Sequence, residues 1–487
     1  MTPFIISLIC VLSSVAQASP LIQRRQSGAQ AFASNRDLSL KLSPIDAPVR
    51  TSTQPSSDGH WVLNVDDTPS GYKQTVRGFG GSVTDATVTV INALRSDQRS
   101  QLLNELLTSA GANFAFLRHN IGASDLASPP AYTYDDSNGQ ADPQLNNFGL
   151  GDSGVALAKI LAEMKRIKPS ATILGSSWSA PGWMKQSGRL TGTTDGNSLV
   201  SDYYSAFADY FVKYLQAFGS YGATVDAITI QNEPLNNQGN GMITMLMQPD
   251  EAATVTNQYV GPALRKAGLN TAIWAYDHNT DRPDYPQKVM QEAGDYVEAT
   301  AWHCYANPLD WSVITNFHNQ FPNKANHMTE CWTSPQTSWY QSSSSTVGPL
   351  QNWAETSAMW TLGTWTQQSD GSFGPYIPGG CNTCRGLFVV DKSSGTYQYT
   401  IDYYMLAQYS KFIPAGAKVL SGTGSYTYGD STGIQSVATI NPDGTKTVVI
   451  QSTLNSDVEI ALECTSGAYW VGKVPQNTVV TWILPSS

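Results

Sequence analysis

Charge is scarce in this sequence: Asp, Glu, Lys and Arg make up 14% of the 487 residues, with 28 basic against 38 acidic side chains. No cluster of Lys and Arg interleaves with aromatics, so the positive groove that follows a nucleic-acid backbone is missing and no nucleic-acid partner is expected. No segment reaches the roughly 18 consecutive apolar residues of a membrane span, so no membrane partner is expected either. Cysteine is sparse, six residues in all. With one CxxC pair and no histidine pair at ligand spacing, neither a metal nor a cofactor is expected. No Asn-x-Ser/Thr sequon occurs, which excludes N-glycosylation as an expectation.

Aromatics, by contrast, are plentiful: 13 Trp and 23 Tyr. Flat faces with polar edges suit a ligand that is apolar on its ring faces and hydroxylated around them, as sugars are, although most such side chains serve cores. At the N-terminus a short apolar run (Phe4, Ile5, Ile6, Leu8, Ile9, Val11, Leu12) ends in Ala16-Gln17-Ala18, the small-x-small pattern of a signal-peptidase site. Residues 1–18 are therefore read as a signal peptide and the product as secreted and extracellular, with Arg24-Arg25 a candidate dibasic processing site in the segment 19–60. Export removes Cys10 and leaves Cys304, Cys331, Cys381, Cys384 and Cys464. Export also permits disulfides, and Cys381-Asn382-Thr383-Cys384 is close enough to close a local one; the other pairings stay open.

The length suits a barrel of about 250 residues plus a smaller domain. Eight short apolar runs, at 76–80, 114–119, 172–177, 227–231, 272–277, 299–303, 327–330 and 358–364, alternate with amphipathic helical stretches at 96–109, 154–168, 201–218, 249–267 and 286–293. That is the pattern of repeated βα units. Beyond Gly386 the period changes to 2, with Asn441-Pro442-Asp443-Gly444 as a hairpin turn. The expected fold is α/β: a (β/α)8 TIM barrel over 76–385 with an appended antiparallel β-sandwich domain over 386–487. A strand in 61–75 joins the sandwich.

In such a barrel the reactive groups project from the C-terminal strand ends. The fourth run delivers Gln231-Asn232-Glu233-Pro234 and the seventh His327-Met328-Thr329-Glu330-Cys331-Trp332. A lone Glu at a strand end is usually a rim residue, but two at one mouth supply the pair that retaining glycoside hydrolysis needs, one protonated and one ionised, about 5 to 5.5 Å apart.

The flanking residues carry a more specific likeness. Gly78-Phe79-Gly80-Gly81-Ser82-Val83-Thr84-Asp85, Leu117-Arg118-His119, Ser124-Asp125-Leu126, Ser177-Trp178-Ser179-Ala180-Pro181-Gly182-Trp183, Trp302-His303-Cys304-Tyr305 and Ser410-Lys411-Phe412-Ile413-Pro414 resemble glycoside hydrolase family 30 over essentially the whole mature chain. Within that family the chain is most like the fungal endo-β-1,6-glucanases, through Asp67-Thr68-Pro69-Ser70-Gly71, Ile273-Trp274-Ala275-Tyr276-Asp277-His278-Asn279 and Met328-Thr329-Glu330-Cys331-Trp332.

The resemblance implies a barrel flanked by a β-sandwich, and a retaining enzyme acting on β-1,6-glucan. It implies Glu233 as acid/base and Glu330 as nucleophile. Arg118, Asp125, Trp178, Asn232, His303 and Tyr305 become substrate-binding or supporting residues, and Trp332 a rim candidate. Chemistry adds the expectation that Glu233 is raised to hold its proton, while Arg118 and Tyr305 keep Glu330 ionised. The chain departs from the family at strand eight, where relatives place a Trp-Asn pair and this chain reads Trp360-Thr361-Leu362-Gly363-Thr364-Trp365-Thr366; Trp365 is either a substrate surface or core.

The same site on β-1,6-galactan, xylan or glucosylceramide is the alternative, since fold and catalytic pair do not fix the sugar. A non-catalytic carbohydrate-binding protein is a third reading, opposed by the presence of both glutamates. The expected partner is a polysaccharide, met by a monomer.

Overall fold

The computed structural model describes residues 28–56, 58–239, 241–422, 425–428 and 432–486; the segment 1–18 read as a signal peptide, Cys10 and Arg24-Arg25 lie outside them. Eight parallel strands close a barrel: β1 (Gly78–Val83), β2 (Phe116–Ile121), β3 (Thr172–Ser177), β4 (Ala227–Thr229), β5 (Ala272–Asn279), β6 (Val297–His303), β7 (Ala325–Glu330) and β8 (Ala354–Met359). The first seven overlap the runs read from sequence. The eighth is a correction: β8 ends at Met359, and Gly363–Trp365 forms a separate short strand paired with Phe388–Val390. Its middle, Glu355-Thr356-Ser357, is polar, so the apolar signal appeared only at its end.

Inside the barrel Phe116, Leu174 and Trp274 fill the space, and Ala227, Ala299, Ala301 and Ala358 make room for them. His327 stacks on Trp274 with ring centroids 3.7 Å apart. The lumen is a packed core, so chemistry is confined to its rim.

The second domain draws strands from both ends of the chain. One sheet places Gln30–Asn35 beside Thr478–Leu484, then Lys446–Ser452, Thr432–Ile440 and Lys418–Leu420, and ends on Tyr72–Thr75. The other contains Val49–Thr51, Tyr469–Val474, Val458–Cys464 and His60–Val65, the last two paired in parallel within an otherwise antiparallel arrangement. Leu63, Ile450, Leu462, Trp470 and Trp482 are among the buried residues of its core.

Two expectations change here. The segment 19–60, which shows no sustained period, contributes sandwich strands; only the small Ala31 and Ala33 of Gln30–Asn35 mark its buried side. The stretch after residue 386 remains with the barrel through the helix Ile401–Ser410, and the first following sandwich strand is Lys418–Leu420. That helix packs against β1 on one side and against Gln30–Asn35 and Thr478–Leu484 on the other. With no solvent face it carries no polar stripe, so its sequence lacks an amphipathic period.

The fully buried Gln408 on this helix ties the domains together. Its Nε2 donates to Ser34 Oγ at 2.8 Å, and Thr481 Oγ1 donates to its Oε1 at 2.7 Å. Gln408→Ala strands buried hydroxyls at the interface and is expected to lower unfolding stability by about 2 kcal/mol in denaturant titration. At 25 °C kcat/KM remains that of the parent, because the site lies at the far end of the barrel strands.

Candidate active site

Strand ends β4 and β7 bring Glu233 and Glu330 to one cleft of about 490 Å3, walled in part by Asp125, Trp178, Trp332 and Trp360. Glu233 adopts the left-handed φ of +44°. Its N–H donates to the Asp277 carbonyl at 3.0 Å, its own carbonyl accepts from Asn236 N–H at 2.8 Å, and Asn236 Nδ2 donates to its Oε2 at 2.7 Å. A non-glycine residue holds such a backbone only when its surroundings enforce it. Here the turn after β4 and the neighbouring β5 do so.

Glu330 is the last residue of β7. Arg118 Nη1 donates to its Oε2 at 2.6 Å and Tyr305 OH to its Oε1 at 2.9 Å. A disulfide, Cys304–Cys331, joins the residues that follow β6 and β7, directly beside both His303 and Glu330. The local pair Cys381–Cys384 forms as expected, and Cys464 is a free buried thiol pushed up to about 11 by burial.

Beneath the glutamates lies a residue the sequence reading did not select, Asp277. A register shift between Tyr276 and His278 puts a bulge in β5, and Tyr276 and Asp277 both take left-handed φ. Bulges re-aim side chains, and this one buries Asp277 completely. Its Oδ2 accepts from Arg118 Nη2 at 2.9 Å, Ser176 Oγ at 2.5 Å and Thr229 Oγ1 at 2.9 Å, and its Oδ1 from Thr329 Oγ1 at 2.7 Å and His303 Nε2 at 3.0 Å. Burial alone would raise this carboxyl; Arg118 and His303 reverse that and hold it well below the usual carboxylate range.

With Nε2–H committed to Asp277, His303 turns Nδ1 toward both glutamates, 3.4 Å from Glu233 Oε1 and 3.7 Å from Glu330 Oε1. The two carboxylate oxygens are therefore no farther apart than the sum of those distances, a bound that admits the spacing of retaining enzymes. Burial opposes a charge on His303, but the Glu330 and Asp277 carboxylates push it up to about 9. Glu233 moves the other way: burial raises it, and the neighbouring His278 and His303 imidazoles outweigh burial and hold it below the ordinary range. The expected elevation of Glu233 is thus corrected. His303 Nδ1 and Glu233 Oε1 face each other at 3.4 Å, a contact along which a proton can pass between imidazole and carboxyl with no change in net charge.

Asp125, Trp178, Asn232, Tyr305 and Trp332 line the cleft with the glutamates. Asp125 accepts from the Cys381 N–H at 3.1 Å through Oδ2, while its buried Oδ1 has no partner among the described residues. Burial and the Glu330 charge push it up to about 7. Arg118 and His303, expected among the substrate contacts, are fully buried and absent from the lining. They act on the glutamates from below. The Arg118 guanidinium sits 4.9 Å from the Trp178 ring and 5.6 Å from that of Trp360, so one cation fixes carboxylates and aromatic walls together. Trp360, not Trp365, supplies the aromatic surface after β8; Trp365 is half-buried under Lys392. Besides Asp277, the sequence reading passed over Asn236, His278 and Trp360. Their signal was their place at the C-terminal end of β5 for His278, directly after β8 for Trp360, and in the turn after Glu233 for Asn236.

Because folded His303 binds its proton more tightly than an unfolded histidine, its contribution to stability is full below pH about 6.5 and is lost as pH rises through about 9. Asp277→Asn removes one of the charges that raise His303. The alkaline limb of the kcat/KM profile is expected to move down by on the order of one pH unit, with a stability loss of about 3 kcal/mol from the disrupted buried ion pair.

Residues 76–413 match the TIM-barrel domain of glycosyl hydrolase family 30, and residues 416–482 match that family's β-sandwich domain. The chain is 54% identical over 483 residues to an endo-1,6-beta-D-glucanase of Trichoderma harzianum, covering 97% of each chain. To an endo-1,6-beta-D-glucanase of Aspergillus fumigatus it is 51% identical over 494 residues, covering 99% of this chain and 100% of the other. It is also similar, with a TM-score of 0.80 at 26% identity, to the solved structure of an endo-beta1,6-glucanase, covering 94% of this chain and 100% of that one. With both domains matched in order and relatives aligned almost end to end, the chain belongs to glycosyl hydrolase family 30.

Proposed function

We propose that this protein is an exported, monomeric endo-β-1,6-glucanase that cleaves its polysaccharide by double displacement, with Glu330 as nucleophile and Glu233 as acid/base. The observation that carries the assignment of roles is the asymmetry of the two carboxylates. Glu330 is clamped by a buried guanidinium and a tyrosine hydroxyl, as a group that attacks in the ionised form requires. Glu233 faces His303 and Asn236 instead, with no guanidinium of the described residues against it. The 1,6 linkage and internal attack rest on the names of the relatives; export rests on residues 1–18.

In the first step Glu330 attacks the anomeric carbon while Glu233, having taken the proton from His303 Nδ1, delivers it to the departing C6 oxygen. Closure of the cleft over substrate removes water from Glu233, which favours its neutral form and drives that transfer. In the second step Glu233, now a carboxylate, takes a proton from water as the water oxygen displaces Glu330. Asn232 Oδ1 accepts from Arg118 Nη2 at 2.6 Å, which leaves its amide N–H to the sugar 2-hydroxyl. Asp125 Oδ1 accepts from glycone hydroxyls, and Trp178, Trp332 and Trp360 face the sugar rings.

Activity on pustulan, a β-1,6-glucan, with little on laminarin, β-1,6-galactan or xylan is the expected result, and NMR of the first product should find the β-anomer. An α-anomer, or inert pustulan, contradicts the proposal. Glu330→Gln is expected to lower kcat by about 10^4-fold or more. Glu233→Ala should recover turnover with added azide on a substrate with a good leaving group, releasing a β-glycosyl azide.

A further inference from the structure

Strand ends β4, β5 and β6 deliver Glu233, His278 and His303 to one point, although no two of these residues are near in sequence. Glu233 Oε1 is 3.4 Å from His303 Nδ1 and 3.6 Å from His278 Nδ1, and the three donor atoms fall within 4.8 Å of one another. No other trio of such ligands gathers among the described residues.

Two imidazoles and one carboxylate with a fourth position open is the donor set of many zinc sites. Ligands around a tetrahedral zinc stand about 3.3 Å apart when each bond is about 2.0 to 2.1 Å. Two edges of this triangle therefore fit within a few tenths of an ångström, and a rotation of the half-buried His278 closes the third. Independent features support the geometry. Asp277 accepts from His303 Nε2–H, the carboxylate–histidine pairing that fixes a metal-binding imidazole and directs its other nitrogen to the ion. His278 Nδ1 is buried, faces the same glutamate and has no hydrogen-bond partner among the described residues. The sequence expectation of no metal came from spacing along the chain, which is blind to ligands that meet across three strands.

We propose that this trio is an inhibitory zinc site, with Zn2+ held by Glu233 Oε1, His278 Nδ1 and His303 Nδ1 and its fourth position facing Glu330. The ion occupies the carboxylate that must protonate the leaving oxygen. Mg2+, which prefers oxygen donors and keeps its waters, is not retained. Inhibition rests on the proposed role of Glu233; zinc binding does not, and it is read without turnover.

Full-length enzyme treated with chelator and titrated calorimetrically with ZnCl2 should bind one ion per chain, and Co2+ in its place should give the visible absorption of a four-coordinate site. Pustulan hydrolysis should fall over the same zinc range, return with EDTA and ignore MgCl2. His278→Ala should weaken zinc binding at least tenfold, and His278→Asn serves the same purpose where alanine disturbs the fold. No binding at millimolar zinc, or undiminished affinity in both folded variants, overturns the site. Binding that depends on His278 without loss of hydrolysis overturns the inhibition and marks the assignment of Glu233 as the failing premise.

Discussion

Asp277 gathers two cations' worth of donors in a place that solvent does not reach, and the geometry of the cleft hangs from it. Its carboxylate accepts from Arg118, His303 and three hydroxyls contributed by β3, β4 and β7. A buried charge is tolerated only when paired and hydrogen-bonded on every side. The five donors meet that demand and in doing so tie five of the eight strands to β5. Arg118 also donates to Glu330 through Nη1 and to Asn232 through Nη2, and His303 is left with one nitrogen facing both glutamates.

This arrangement separates two carboxyl groups that share one mouth. Glu330 receives a permanent positive charge and a phenolic hydrogen bond. Glu233 receives an imidazole neighbour instead, with His303 Nδ1 3.4 Å from its Oε1. The Cys304–Cys331 bridge adds a covalent tie between β6 and β7 at the depth of His303 and Glu330, and the Cys381–Cys384 loop donates a backbone N–H to Asp125. Both disulfides thus fix residues that line or underlie the cleft.

What could be read from the chain alone follows from which signals are local. The alternation of β2 to β7 with amphipathic helices, and the Asn232-Glu233-Pro234 and Thr329-Glu330 strand ends, are short-range patterns, and they sufficed to place the glutamates at one mouth. β8 was misplaced because its polar residues face neighbours that satisfy them, and Ile401–Ser410 was missed because burial on all sides erases helical periodicity. Asp277 escaped notice because a bulge, which breaks the period-2 rule, turns it inward. His278 escaped because its neighbours in space, Glu233 and His303, are supplied by other strands. The direction of the Glu233 shift also depended on such contacts: the imidazoles of His278 and His303, which lower it, come from other strands.

The account stands or falls on Glu330 forming a covalent bond with the sugar. Incubation with a 2-deoxy-2-fluoroglucosyl fluoride, which slows the second displacement, followed by peptide mass spectrometry, tests this directly. A mass increase of one fluoroglucosyl unit on the peptide containing Glu330 is the predicted result. Labelling of the Glu233 peptide, or complete turnover-dependent inactivation with no label on either glutamate, would contradict it.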